Sequence, residues 1–410
     1  MARVDAARLI RMLQTLASYG ARDDGGVSRE ALSASELNAR AWLCGLCTGP
    51  QYRWSLDDAA NLVLRRQGAE QDLAPVMTGS HIDTQPVGGW LDGAYGVVAG
   101  LEVMLALDDA GITTRRAIEV MIWTNEEGSR FSPGAMGSGA FSEPARLAGF
   151  LAAQDAQGGR FDAARDAALQ AMPGLSRVPL GHELHAYVEA HIEQGPVLES
   201  GGHTLGVVTG IQGVRWYEIT VQGRSAHAGT TPLAARADAL LAAARLVGQL
   251  ADEAAARSDE ALRWTVGRFE VTRGAVNTVA EQVRFTVDLR HPDEAALAAA
   301  QSVMYELVEA LPGACRAEAR PLMQRAPTPF DVDVLAVLEA AAGATGAPFT
   351  HLESGAFHDA MYLADICPTA MLFVPSKEGI SHHPAEDTTH ADLVTGARAL
   401  AAALVSLADT

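Results

Sequence analysis

The sequence predicts an α/β protein: a mixed sheet flanked by helices, split by an inserted ferredoxin-like α+β unit. Three observations carry this. From about residue 57 to 130, apolar strand-like runs alternate with helical patterns, which argues a parallel or mixed sheet covered by helices. Residues 213–325 read in the order β-α-β-β-α-β, the ferredoxin-like order. After about residue 326 the α/β character resumes.

The elements follow in chain order. Ser33 and Glu36 have capping-box spacing, so an amphipathic helix starts there and carries Cys44 and Cys47 as i,i+3 neighbours. The apolar run 73–78 is a strand ending in Gly79-Ser80-His81-Ile82-Asp83. Residues 94–110 form a helix stopped by Gly111, and 117–123 an apolar strand ending in Asn125-Glu126-Glu127. The stretch 145–180 is Ala-rich and helical. Residues 186–193 alternate strictly, with Tyr187, Glu189, His191 and Glu193 on one face and Val188, Ala190 and Ile192 on the other. The inserted unit runs strand 215–222, helix 231–256, strands 264–272 and 282–290, helix 293–311 and a short extended segment. A helix over 331–342, a strand over 370–374 and a terminal helix close the chain.

Composition narrows the function. The chain has 410 residues, 48% hydrophobic and 20% charged, the profile of a soluble globular protein of two or three domains. Lys+Arg 31 against Asp+Glu 50 leaves −19, which repels phosphate backbones and anionic lipid, so neither nucleic acid nor membrane is an expected partner. No charge-free apolar run approaches the ~18 residues of a membrane span, and the N-terminus has neither a secretory nor a transit pattern. The expected location is cytoplasmic. Cys44, Cys47, Cys315 and Cys367 are too few for a disulfide scaffold, and the lone C-x-x-C has no second pair to complete a zinc site.

The chemistry collects past the carboxyl ends of apolar strands. His81 and Asp83 follow one, Glu126 and Glu127 another, and His382 and His383 come shortly after a third. In open α/β sheets, sites form in the crevice outside these ends, so groups far apart in sequence converge. Singly, each has an ordinary reading. His81 can be a hydrogen-bonded loop histidine, Asp92 the N-cap of the helix after it, Glu126-Glu127 a solvated turn. His191 can satisfy a backbone group on a half-buried strand, and His382-His383-Pro384 can be an exposed loop. Their shared position outweighs these readings.

Together, two histidines, a flanking glutamate, an aspartate and a third histidine are donors suited to Zn²⁺, Co²⁺ or Mn²⁺. A carboxylate such as Asp92 can bridge two ions ~3.5–4 Å apart. Adjacent strand-end side chains point different ways, so one of Glu126 and Glu127 can ligate while the other serves as general base. Other catalytic patterns fail. His182-Glu-Leu-His185 is not H-E-x-x-H, and no G-x-S-x-G elbow, Walker A loop or dinucleotide fingerprint is present.

At these residues the sequence resembles the M20-type dinuclear metallohydrolases, in the branch of N-carbamoyl-L-amino-acid hydrolases, β-ureidopropionases and allantoate amidohydrolases. The resemblance rests on Thr78-Gly-Ser-His-Ile-Asp-Thr-Gln-Pro, Gly88-Gly-Trp-Leu-Asp-Gly-Ala-Tyr-Gly, Asn125-Glu-Glu-Gly-Ser-Arg-Phe and His191-Ile-Glu-Gln-Gly-Pro. Gly223-Arg-Ser-Ala-His-Ala-Gly-Thr-Thr-Pro, Asp288-Leu-Arg and Gly379-Ile-Ser-His-His-Pro-Ala-Glu continue it along most of the chain. It implies a split metallopeptidase-like catalytic domain over 1–212 and 326–410, with a lid and dimerisation domain over 213–325.

The resemblance makes His81, Asp92, Glu127, His191 and His382 the ligands of two divalent ions per subunit, with Asp92 bridging. Glu126 becomes the general base, and Asp83 the carboxylate that orients the His81 imidazole. His227, reaching across a homodimer, would stabilise the oxyanion. Gln194, Asn277 and Arg290 would hold the substrate, Arg290 gripping its carboxylate, with the backbone of Gly355 and Ala356 lining the pocket. Two positions depart from the family pattern: Leu91 where Phe is common, and Phe357 where Gly is common. The implied activity is hydrolysis of the carbamoyl C–N bond of N-carbamoyl amino acids, with allantoate as the rival substrate. The segment Gly210-Ile-Gln-Gly-Val-Arg-Trp-Tyr-Glu resembles the carbamoylase side more.

Overall fold

The computed structural model describes residues 3–257, 259–272 and 274–410. The chain divides into two units, Met1–Gly210 with Pro329–Thr410, and Ile211–Thr328.

The first unit is built on four parallel strands in the order Thr369–Val374, Ala186–Ile192, Val76–His81, Ile118–Trp123. All their residues are buried. Because the strands run parallel and adjacent, their carboxyl ends share one edge of the ten-stranded sheet. Antiparallel strands extend the sheet on both sides: Leu62–Arg66 and Tyr52–Leu56 beyond Ile118–Trp123, and Leu205–Ile211 beyond Thr369–Val374. The helix Ala94–Asp109 packs on the central strands and is apolar nearly all round, as a fully enclosed helix must be. The terminal helix His390–Ala408 is long and apolar enough to span a membrane by length, but 61% of that window is buried against the sheet and neighbouring helices. It is a core helix.

Several expectations shift here. The strand anticipated over 73–78 lies at Val76–His81, so His81 is its last residue rather than part of the loop after it. The strand carrying His191 is buried on both faces, not half-buried, because it is central and covered by helices on each side. The Ser33 cap forms, its hydroxyl accepting from Glu36 N–H. Glu36, however, reaches Leu32 N–H at 2.6 Å instead of the cap's own N–H, which bonds Glu30. That helix ends at Cys44, so Cys47 lies beyond it. Both thiols are free, and burial pushes them up to about 11 and about 12.

Gly79 shows how tightly the central strands approach. Its φ is +149°, and a Cβ there would sit 2.0 Å from the Met121 carbonyl oxygen on the paired strand. Gly79→Ala is expected to cost about 3 kcal/mol, from overpacking plus backbone strain. A calorimetric melt checks this: Tm should fall by roughly 10 °C.

The second unit is an antiparallel sheet in the order Arg263–Thr265, Gln282–His291, Gly213–Gln222, Arg316–Arg325, with Phe269–Thr272 also on the Gln282–His291 strand. The helices Ala239–Ala256 and Glu294–Glu309 pack against it. Tyr217, Ile219, Val221, Val283, Phe285 and Leu246 form its core. Asp238 and Asp293 cap the two helices through Leu241 N–H and Ala296 N–H. The first helix therefore starts at Ala239, not at residue 231, and the last strand has ten residues rather than a short segment. The strand anticipated over 264–272 is two shorter pieces.

Candidate active site

Each functional segment leaves the sheet at its carboxyl edge and is then held by hydrogen bonds. After Val76–His81, the Nδ1 of His81 lies 2.9 Å from the Asp83 carbonyl oxygen. A carbonyl only accepts, so Nδ1 carries the hydrogen and Nε2 the lone pair. The His191 ring is tied the same way, Nδ1 donating to the Ile192 carbonyl at 2.9 Å while Nε2 accepts from Gly93 N–H at 3.1 Å. Both rings thus present an unprotonated Nε2 inward, the state a metal ligand needs. Burial pushes His81 down to about 4, keeping it neutral.

Asp92 is not the helix N-cap; that position is Gly93, at φ +64°. A Cβ on Gly93 would lie 2.5 Å from the His81 ring, so only glycine lets this segment come so close. Asp92 is 5% exposed at its side chain, with Oδ1 3.3 Å from His191 Nε2 and 3.8 Å from His81 Nε2. Oδ2 lies 3.1 Å from His382 Nε2. His382 Nε2 is in turn 3.6 Å from Glu127 Oε2. Among the described residues three groups could hold an ion: two ligand groups that share Asp92, His81–Asp92–His191 and Asp92–Glu127–His382, and Glu189–His191–His358 behind them.

Past Ile118–Trp123 the backbone turns through Asn125 at φ +57°, a left-handed conformation that Asn tolerates. The Asn125 amide donates to the carbonyls of Phe131 and Pro133, holding the turn. Glu126 and Glu127 diverge from it. Glu126 Oε2 is 3.5 Å from His81 Nε2, while the Glu127 carboxylate accepts from Gln85 N–H at 3.1 Å and its amide at 2.6 Å. Burial, with Asp359 and Glu127 nearby, holds the Glu126 proton well above the usual carboxylate range. Burial, with Asp92, raises Glu127 to about 8. The hydrogen bond to Asp92 raises His382 to about 9. This excess of buried carboxylate around the imidazoles suits divalent ions, which would displace the protons on Glu127 and His382.

Asp83 meets the His81 imidazole chiefly through its backbone. Its carboxylate is 3.8 Å from His81 Nδ1 and instead accepts from Glu126 N–H and Glu127 N–H, both at 3.2 Å. The backbone carbonyl of Asp83 orients the imidazole, and the side chain shapes the Glu126–Glu127 turn. Gln194, at φ +58°, puts its amide nitrogen 3.0 Å from Asp92 Oδ2 and 3.4 Å from His382 Nε2. The Ala356 N–H and carbonyl are both engaged by the Ser354 hydroxyl, and Gly355 is exposed.

In the second unit, His227 sits in a two-residue strand paired with Thr278–Val279, so it neighbours Asn277. Its Nδ1 accepts from Gly229 N–H and Thr230 N–H at 3.1 and 3.2 Å, leaving Nε2–H as an exposed donor. The Arg290 guanidinium is forked against Asp288, with contacts of 2.9–3.2 Å.

Several contributors had no role in the sequence reading. Gln85 and Glu386 act through contacts far along the chain, and no local spacing reveals them. Glu189 shares the His191 face two residues earlier, a signal the alternation did contain. It accepts from Ser80 Oγ and Ala360 N–H at 2.7 and 3.0 Å. The His358 ring packs 4.5 Å from that of His191.

The chain matches the model of peptidase family M20/M25/M40 over residues 77–406. It is 35% identical to an N-carbamoyl-L-amino-acid amidohydrolase of Rhizobium meliloti, with 99% of this chain and 97% of that one covered. It is 34% identical to an allantoate amidohydrolase of Bacillus subtilis, over 97% and 96%. Among solved structures, a hydantoinase/carbamoylase family amidase of Burkholderia vietnamiensis superposes with TM-score 0.89 at 40% identity, over 100% and 98%. The chain belongs to peptidase family M20/M25/M40, on its amidohydrolase side, and is a hydrolase of non-peptide amide C–N bonds.

Proposed function

We propose that this chain is a metal-dependent amidohydrolase cleaving the carbamoyl C–N bond of an N-carbamoyl-L-amino acid, or of N-carbamoyl-β-alanine, to amino acid, ammonia and CO₂. The observation that carries the reading is Asp92, whose two carboxylate oxygens face two separate ligand groups. His81, Asp92 and His191 would hold one divalent ion, and Asp92, Glu127 and His382 a second, as Zn²⁺, Mn²⁺ or Co²⁺. Such ions, when bound, polarise a ureido carbonyl and lower the pKa of water to ~7.

The chain's own groups do the rest. Glu126 takes the proton of the attacking water as its oxygen adds to the carbamoyl carbon. The His227 Nε2–H donates to the oxyanion. Arg290, already oriented by Asp288, receives the substrate carboxylate; Asn277, Gln194 and the backbone of Gly355 and Ala356 are assigned to substrate holding on the family resemblance. Glu126 then returns its proton to the leaving nitrogen, the C–N bond breaks, and the remaining carbamate loses CO₂. We assign residues 213–325 the lid and dimerisation role and the working form a cytoplasmic homodimer, on the family resemblance.

A second reading, allantoate hydrolysis, is favoured by the allantoate amidohydrolases of Bacillus subtilis and Escherichia coli, at 34% and 35% identity. The deciding experiment is ammonia release from N-carbamoyl-L-methionine, N-carbamoyl-β-alanine and allantoate by metal-stripped protein, with and without Mn²⁺. Metal-dependent release is expected, with kcat/KM for a carbamoyl substrate exceeding that for allantoate by about tenfold or more. The reverse preference moves the chain to the allantoate reading. No release from any of the three overturns both.

A further inference from the structure

The two ligand groups depend on segments far apart in sequence: the loop bearing Asp92 and the loop bearing His382. One buried side chain joins them. The Glu386 residue is 1% exposed. Its Oε1 accepts from Leu91 N–H at 2.9 Å and Asp92 N–H at 3.0 Å, and its Oε2 accepts from Ser381 Oγ at 2.8 Å. Its backbone carbonyl accepts from Trp90 Nε1 at 3.1 Å. Room for the carboxylate exists only because residue 89 is glycine, since a Cβ there would lie 2.1 Å from Glu386 Oε1. Glu386 belongs to no ligand group among the described residues.

We propose that Glu386 is a positioning residue, a clasp that holds Asp92 and His382 in register so that both ligand groups can close on metal. The inference rests on the two-ion reading above. Three bonds to one carboxylate fix the backbone at Asp92 and the residue before His382, whose φ of +53° is a conformation its surroundings must impose. The three bonds, at 2.8–3.0 Å, converge on one side chain from two separate segments, which is what fixes their relative placement. Ser381 Oγ is also within 3.2 Å of the Gln194 amide nitrogen, so the clasp reaches a third segment of the site.

The test is calorimetric titration of Mn²⁺ into metal-stripped wild type, Glu386→Gln and Glu386→Ala, with circular dichroism and a melt of each. Glutamine can accept from both backbone N–H groups and donate to Ser381 Oγ, so Glu386→Gln is expected to bind two ions with affinity close to wild type. Glu386→Ala is expected to weaken ion binding by about 10–100-fold, the usual cost of removing a group that orients ligands. A merely structural role would lower Tm in Glu386→Ala and leave ion affinity unchanged, and that result overturns the proposal. Should Glu386→Ala fail to fold, the double variant S381A/E386Q keeps the volume but cuts the link to the His382 loop. It is expected to lose affinity for one ion, and wild-type binding of both overturns the proposal. Fewer than two ions in the wild type would overturn the metal reading itself, and the clasp with it.

Discussion

Glu126→Gln is expected to lower turnover by about 10³-fold, the scale of a lost general base, while leaving ion content unchanged. Glutamine keeps the shape of the side chain and leaves the Glu126 N–H bond to Asp83 untouched, so the turn is preserved. What it removes is basicity. The Glu126 side chain is 7% exposed and 3.5 Å from His81 Nε2, yet it lies outside both ligand groups. Glu127, the next residue, is inside one of them and is gripped through both oxygens by Gln85. Identical side chains thus sit in different settings, one fixed as a ligand and one left to exchange a proton. Burial among Asp359, Glu127, Asp83 and Asp92 raises the proton affinity of Glu126; bound dications would release that proton and leave a carboxylate able to accept one from water. Steady-state kinetics with metal analysis by mass spectrometry decides the matter. Full turnover in Glu126→Gln would refute the base assignment, and loss of an ion would make Glu126 a ligand instead.

Much of the parallel core was legible in the sequence, because the runs at 73–78, 117–123 and 370–374 are mainly apolar with polar residues gathered past one end, while 186–193 alternates. The periodicity therefore located His81, Glu126, Glu127 and His191 near a common edge before any coordinates. Helix boundaries were less legible. Residues 233–237, Leu-Ala-Ala-Arg-Ala, read as helix, yet only the turn Leu233–Ala235 forms, and Arg236 bonds back to the carbonyls of Thr231 and Ala228. Pro232 and the Asp238 cap delay the helix to Ala239. The supports of the site were not legible at all. Glu386 meets Leu91 across 295 residues and Gln85 meets Glu127 across 42, and such contacts leave no trace in local spacing. Asp83 shows the same limit: its place two residues after His81 does not reveal that its carbonyl lies closer to the imidazole, at 2.9 Å, while its carboxylate, 3.8 Å away, also serves the next strand's turn.

Asp92→Ala is expected to have the broadest effect of any single change, lowering bound ions from two to at most one and turnover below detection. Asp92 is the member common to both ligand groups, with Oδ1 toward His81 and His191 and Oδ2 toward His382. Removing it takes one donor from each ion and also the negative charge that balances the imidazole His382, held up to about 9 largely by its bond to Asp92. The backbone should survive, because Glu386 grips residue 92 through its N–H and not its side chain. His382→Ala is the matched control. It removes a donor from one group alone, so one ion should stay bound at close to wild-type affinity. If the ions were held independently, Asp92→Ala and His382→Ala would each lose one and look alike in a titration. If Asp92 bridges, Asp92→Ala weakens both binding events and His382→Ala weakens one. Retention of two tightly bound ions by Asp92→Ala would remove the bridge, and with it the physical reason for placing the two ligand groups on a single carboxylate.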